Sequence, residues 1–477
     1  MCCCRLSRHG LASMCTETAS NPQVEDRITP HRKAVMLPPR VLPMLVALVA
    51  IGAIACGGAT GKPTVTPSPA AAHDPETPLQ PTAEATPASQ RAAPAVPVSR
   101  QPSGARNVPA RLVIGWGNTD FSKHSVPFFE IISGGVGRDG IPPIDDPVFL
   151  NASDDPEYME DDDPVIALEV GGEAKAYPLD ILQSHEIVND ELGGVPVTVT
   201  YCPLCNTAVV FDRRVDGRVF DFGVSGNLRN SDLIMWDRQT ESWWQQITGE
   251  SIVGEMTGTK LEVIPAPIVS WIDFRETFPS GLLLSRRTRS YDNAPYDGYD
   301  ELTNTSPFLF LTEDGLEGIR GGEGREEVIS RKIDPRLRPM ERVVSLSIDG
   351  HAVAYPFTML REVPVVNDSI AGQDIVVFYV GGTLSAFEGA GGASNRIVGS
   401  TGVYDPFVNG EKLTFGVEDG KIVDESTGSR WNILGRATEG PLAGTELRPV
   451  AHTNHFWFAW AAFNPDTDVR EVGDVSR

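Results

Sequence analysis

Cysteine is scarce where this chain can fold. Five of its seven cysteines (Cys2, Cys3, Cys4, Cys15 and Cys56) fall within the first 56 residues, and only Cys202 and Cys205 lie beyond. Two cysteines three positions apart cannot staple a chain of 477 residues, which excludes a disulfide scaffold. Basic residues are also few: 40 Lys and Arg against 64 Asp and Glu leave a net charge of -24. Phosphate binding needs clustered cations, so no nucleic-acid partner is expected. A membrane-spanning helix takes about twenty apolar residues, and the run Val41–Ala55 falls short of that. The glycine-dense stretch Gly134–Gly140 lacks a strand-turn-helix context, so no nucleotide cofactor is expected. No Gly-x-Ser-x-Gly or His-Glu-x-x-His signature is present.

What is present begins with an export signal. Arg32, Lys33 and Arg40 precede the apolar run, which closes on Ala53-Ile54-Ala55-Cys56. A basic stretch, an apolar stretch and small residues before a break describe a secretory signal peptide over residues 1–56. The cysteine after the small residues resembles a bacterial lipobox, so lipidation is expected at Cys56, with an uncleaved span as the alternative. From Gly57 to Asn107 there is no aromatic residue, and Pro, Thr and Ala dominate. Such a segment buries too little apolar surface to offset its ordering entropy, so residues 57–106 are expected to be a disordered linker. Its mean reach is roughly 40 Å, enough to hold the folded part off a membrane. The expected place is the extracytoplasmic face of the cell envelope, with the membrane as partner through a lipid anchor.

Beyond the linker the chain repeats itself. VIALEVGGEAKAYPLDILQSHEIVND (165–190) and VVSLSIDGHAVAYPFTMLREVPVVND (343–368) share eleven of 26 positions. Phe222-Gly223-Val224 and Phe415-Gly416-Val417 keep the register, as do Trp271-Ile-Asp-Phe274 and Trp457-Phe-Ala-Trp460. A period this long indicates two copies of a domain-sized unit rather than a solenoid. The expected halves are Asn107–Leu337 and Arg338–Arg477. Each opens on an alternating hairpin around Gly171-Gly172 or Asp349-Gly350, followed by a short helix after Pro178 or Pro356. In the first copy that helix is predicted over Leu179–Val188. Strands are predicted over Val195–Tyr201, Thr207–Phe211 and Arg218–Val224. The fold class is mainly β with short helices.

Between Asp139 and Asp163 stand ten carboxylates and no base. They read as a solvated loop, or as a calcium loop lacking the Asp-x-Asp-x-Asp-Gly spacing. The chemistry centres instead on Cys202-Pro203-Leu204-Cys205, between one alternating stretch and one apolar stretch. In thiol–disulfide enzymes such a pair opens a helix, whose N-terminus stabilises the thiolate. Here a strand follows Cys205, as in a metal knuckle whose two thiolates supply half of a four-coordinate site. His185, just upstream, is the candidate third ligand, and His455 (or His452) could reach over from the other copy. In that copy Val363, Val380 and Thr383 replace His185, Cys202 and Cys205 together. Thiolate and imidazole ligation suits copper or zinc. Trp243-Trp244 and the terminal Phe456-Trp457-Phe458 read as core rather than as a sugar platform.

AYPLDILQSHEIVND, TYCPLCNTAVVFDR, FGVSGNLRNSDLIMWDRQTESWWQQITGE and FWFAWAAFNPDT together resemble the bacterial and archaeal family named domain of unknown function 3179. The resemblance runs from about Asn107 to the C-terminus. It points to His185, Cys202, Cys205, Asn227, Arg229, Ser231 and Asp232, and the last four are expected to border the cysteine site. The expected function is an extracytoplasmic metal-binding or redox protein. The alternatives are a thiol–disulfide protein, and a surface-binding module in which the two cysteines form a structural disulfide.

Overall fold

The computed structural model describes residues 108–154, 156–288, 333–387 and 396–474. The signal segment with Cys56 and the linker to residue 106 lie outside them. The described residues form one compact, mainly β unit with short helices. None of their helices is long and apolar enough to cross a membrane.

The first half opens on the strands Pro164–Val170 and Glu173–Pro178, paired antiparallel. Gly171 and Gly172 both have positive φ (62° and 82°), as a two-residue turn matched to strand twist requires. Pro178 fixes the entry to a helix at Leu179–His185. That helix stops three residues before the predicted Val188. Glu186 takes the left-handed C-cap conformation, and the next strand, Ile187–Leu192, has already begun. The β-branched pair Ile187-Val188 prefers the pleated surface. The strand Val195–Cys202 lies between Ile187–Leu192 and Thr207–Asp212, both antiparallel. A second sheet pairs Phe222–Arg229 with Asp232–Asp237, with a bulge between Val224 and Asn227. Gly226 lies within the bulge at φ 77°, and a Cβ there would stand 2.3 Å from the Val136 carbonyl.

The second half pairs Arg342–Ile348 with His351–Pro356 through Asp349 and Gly350, both left-handed. A helix, Phe357–Glu362, follows, then the strands Val365–Ile370 and Gln373–Val380. Local contacts correspond across the halves. Tyr177 donates to Asp190 at 2.8 Å, and Tyr355 to Asp368 at 2.6 Å. Asn189 brackets the backbone of Phe222 and Asn367 that of Phe415. The indole of Trp244 donates to buried Asp237, and that of Trp431 to buried Asp424.

The halves share their cores. Cys202, Phe211 and Trp244 pack in one cluster with Met340, Phe387 and Phe456. Val165 and Trp271 pack in another with Phe378, Tyr404 and Trp431. Members of the acidic run are spread among partners: Asp145 meets Arg238 at 2.8 Å, and Asp161 meets Arg275 at 2.9 Å.

Candidate metal centre

Cys202 ends one strand, and Cys205 ends the single 3₁₀ turn Pro203–Cys205. Asn206 closes that turn in the left-handed region, and Thr207 re-enters the sheet opposite Cys202. No helix follows Cys205, so no aligned N–H dipoles stabilise a thiolate. Both cysteines are buried and free.

The third member comes from the neighbouring sheet. Arg229 and Asp232 pair across a two-residue turn in which Asn230 and Ser231 both have positive φ (53° and 66°). Left-handed backbone costs roughly 1–2 kcal/mol per residue without glycine, so the surrounding structure must impose this turn. It brings Asp232 to the cysteines: one ligand atom each from Cys202, Cys205 and Asp232 lie within 4.8 Å of one another, all buried. The Ser231 carbonyl accepts from the Cys202 thiol at 3.7 Å.

Asp232 Oδ2 accepts from Gln245 Nε2 at 2.7 Å and from the Ile247 N–H at 3.0 Å. Asp232 Oδ1, Gln245 Oε1 and Gln246 Oε1 are buried with no hydrogen-bond partner among the described residues. A buried acceptor without a donor costs roughly 1–3 kcal/mol, and Asp232 Oδ1 is such an acceptor within the ligand group.

Glu186 adds a fourth acidic group. Its N–H donates to the Leu182 carbonyl and its own carbonyl accepts from Tyr201, which ties the helix end to the residue before Cys202. Burial, then the neighbouring Asp232 charge, pushes the Glu186 carboxyl up to about 8. Burial raises Asp232 to about 7, against hydrogen bonds that favour its charged form. Burial also raises the Cys202 thiol, and it raises that of Cys205 well above the usual range, reinforced by Cys202. Two thiols and two carboxyls are thus packed in a low-dielectric place where all four resist ionisation.

Four of the residues singled out from sequence belong to this site or touch it: Cys202, Cys205, Asp232 and Ser231. The histidines are directed elsewhere. His185 Nδ1 donates to the Pro142 carbonyl at 2.7 Å, and His185 is not in the ligand group. His455 does reach across from the second half, but to Thr207: Nδ1 bonds Thr207 Oγ1 at 2.8 Å and Nε2 bonds Thr453 Oγ1. Since Thr207 donates to the Cys205 carbonyl, it accepts from Nδ1–H, so both ring nitrogens are engaged. Arg229 pairs with Glu130 at 2.7 Å, and Asn227 donates its backbone N–H to Ser225. Sequence reasoning passed over Glu186, one residue beyond His185. A signal was available, because the aligned position in the second half is Pro364, which also cannot bind a metal.

Burial pushes His452 down to about 4 and His455 to about 3. Unfolded histidine takes up a proton near 6.5 while these two stay neutral, so they lower stability as the pH falls from 6.5 towards 4. Glu186 and Asp232 act in the opposite sense over this range, so the effect is read as a difference: between pH 6.5 and 4.5 the denaturant midpoint of His452→Gln should fall less, or rise more, than that of the wild-type chain.

No curated protein and no solved structure matches the chain. The model of the family described as protein of unknown function (DUF3179) matches residues 138–467, and the chain belongs to that family.

Proposed function

We propose that this is an exported, lipid-anchored protein that holds one metal ion through Cys202, Cys205 and Asp232. One observation carries the reading: the three ligand atoms converge in a buried place where Asp232 Oδ1 has no donor. Burying several acidic groups is tolerable if they stay protonated, or if a cation replaces the protons. Among what acts on Glu186 there is burial and Asp232, and no cationic side chain. A metal ion would supply the missing charge. Thiol–disulfide exchange fits less well. Raised thiol pKa values leave little attacking thiolate at neutral pH, and full burial keeps a protein substrate away.

An anaerobic zinc titration of the full chain tests the reading. The reduced chain is expected to bind about one equivalent, and the chain oxidised to a Cys202–Cys205 disulfide none, because thiolates are the ligands. Zinc uptake independent of thiol state would favour a disulfide whose role is structural.

The anchor has its own test, motivated by the small residues before Cys56 and the spacer after it. Cells fed a clickable fatty acid should label the wild-type chain and leave Cys56→Ala unlabelled. Equal labelling of both would refute lipidation there.

A further inference from the structure

Asp232 faces the cysteines with its two oxygens unequally engaged. Each carboxylate oxygen offers two lone-pair directions. Oδ2 accepts twice, from Gln245 Nε2 at 2.7 Å and from the Ile247 N–H at 3.0 Å, so both of its directions are taken. Oδ1 is buried and accepts from no described residue. Gln245 is itself buried and fixed, because Nε2 also donates to the Leu233 carbonyl at 3.4 Å. The sheet shows why a long side chain is needed here. Gln245 pairs with Ile234, which lies two positions along the strand from Asp232 and on the same face. A diagonal neighbour at that separation is within reach of a long side chain and not of a short one. The second half supplies the contrast. Asn432 follows Trp431 there as Gln245 follows Trp244, but its hairpin already turns at the exposed pair Asp419-Gly420. Asn432 donates instead to Thr277 Oγ1 at 2.9 Å. The grip on a buried aspartate thus belongs to the half that carries the cysteines.

We propose that Gln245 is the positioning residue of this centre: with the Ile247 N–H it holds Asp232 Oδ2, so that Asp232 binds the ion through Oδ1 alone. This rests on the metal-binding reading above and adds what orients its carboxylate. An aspartate free to turn about its Cβ–Cγ bond offers a metal either oxygen, or both. Anchoring Oδ2 from two sides fixes the carboxylate plane and leaves one oxygen to donate. Hydrogen bonds to the charged form also favour the carboxylate over the acid, which is the form a metal needs. Partners that orient a ligand in this way typically contribute ten- to a hundredfold in metal affinity.

Gln245→Met in the reduced full chain tests the assignment. Methionine keeps about the same length and volume, and it removes both the donor and the unpartnered Oε1. Zn²⁺ affinity is expected to fall by roughly ten- to a hundredfold. The pH of half-maximal zinc uptake should move upwards, because the carboxylate loses a donor that favours its charged form. Co²⁺ bound to the variant should keep the thiolate charge-transfer absorption of the wild type, since both cysteines remain ligands. Loss of that absorption as well would mean that Gln245 holds the fold and not the carboxylate, and would overturn the assignment. Infrared difference spectra of the wild-type chain with and without Zn²⁺, with ¹³C-labelled aspartate carboxyls, need no variant to fold. A carboxylate bound through one oxygen should show its antisymmetric and symmetric stretches further apart than a free one. A narrowed separation, the mark of binding through both oxygens, would overturn the proposal. Unchanged zinc affinity and pH profile in Gln245→Met would also overturn it while leaving the three-residue site standing. A wild-type chain that binds no zinc would overturn both readings.

Discussion

Cys202→Ser and Cys205→Ser are each expected to reduce zinc affinity by about a hundredfold or more. Structural zinc sites bind with on the order of 10–16 kcal/mol, so a four-ligand site places roughly 3 kcal/mol on each ligand. A serine hydroxyl does not ionise near neutral pH and cannot replace a thiolate. Asp232→Asn should cost less in charge but should leave the Gln245 and Ile247 donors facing a neutral amide. His185→Ala should leave zinc affinity nearly unchanged, since His185 stands outside the ligand group. Competition against a chromophoric chelator ranks the four variants. Equal affinity in wild type and Cys202→Ser would refute thiolate ligation, and a large loss in His185→Ala would return the imidazole to the site.

The second large effect is an inversion of pH dependence by metal. Glu186 moves from the usual 4.5 to about 8 on folding, and Asp232 from 3.8 to about 7. A raised folded pKa means that the folded state holds the proton longer than the unfolded state. Each group therefore contributes stability below its unfolded pKa and loses it as pH rises through the folded value. The metal-free chain should weaken from about pH 5 to pH 8. Glu186→Gln should flatten this limb and stabilise the metal-free chain at pH 8 by on the order of 3 kcal/mol. Saturating zinc should reverse the slope, because ligands must lose protons to bind and do so more easily at high pH. Chemical denaturation at pH 5 and pH 8, with and without zinc, reads both slopes. Parallel slopes would contradict the coupling of metal to these groups.

Much of the fold was legible because its signals are local. Alternation around Gly171-Gly172 and Asp349-Gly350 marked both opening hairpins, and Pro178 and Pro356 marked where short helices begin. The strand after Cys205 was readable from Thr207–Phe211, and that strand argues against a thioredoxin-like helix. The site was legible only in part, because its members meet through contacts distant in sequence. The cysteines announce themselves by spacing, whereas Asp232 joins them through a left-handed Asn230-Ser231 turn that ordinary propensities do not favour. Histidine is the commoner partner of cysteine at zinc, so His185 drew attention while Glu186 beside it did not. How these two adjacent residues are placed depends on where the helix stops. The helix ends at His185 and not at Val188, and Glu186 takes the left-handed cap. The absence of any positive side chain acting on Glu186 became visible only with burial known.

Native mass spectrometry of the full chain, purified without oxygen and given one equivalent of zinc, tests the central claim most directly. One zinc ion per reduced chain is expected. That adduct should be lost when Cys202 and Cys205 are both serine, and weakened when Asp232 is asparagine. A reduced chain that carries no metal, or a zinc adduct that survives the loss of both cysteines, would contradict it.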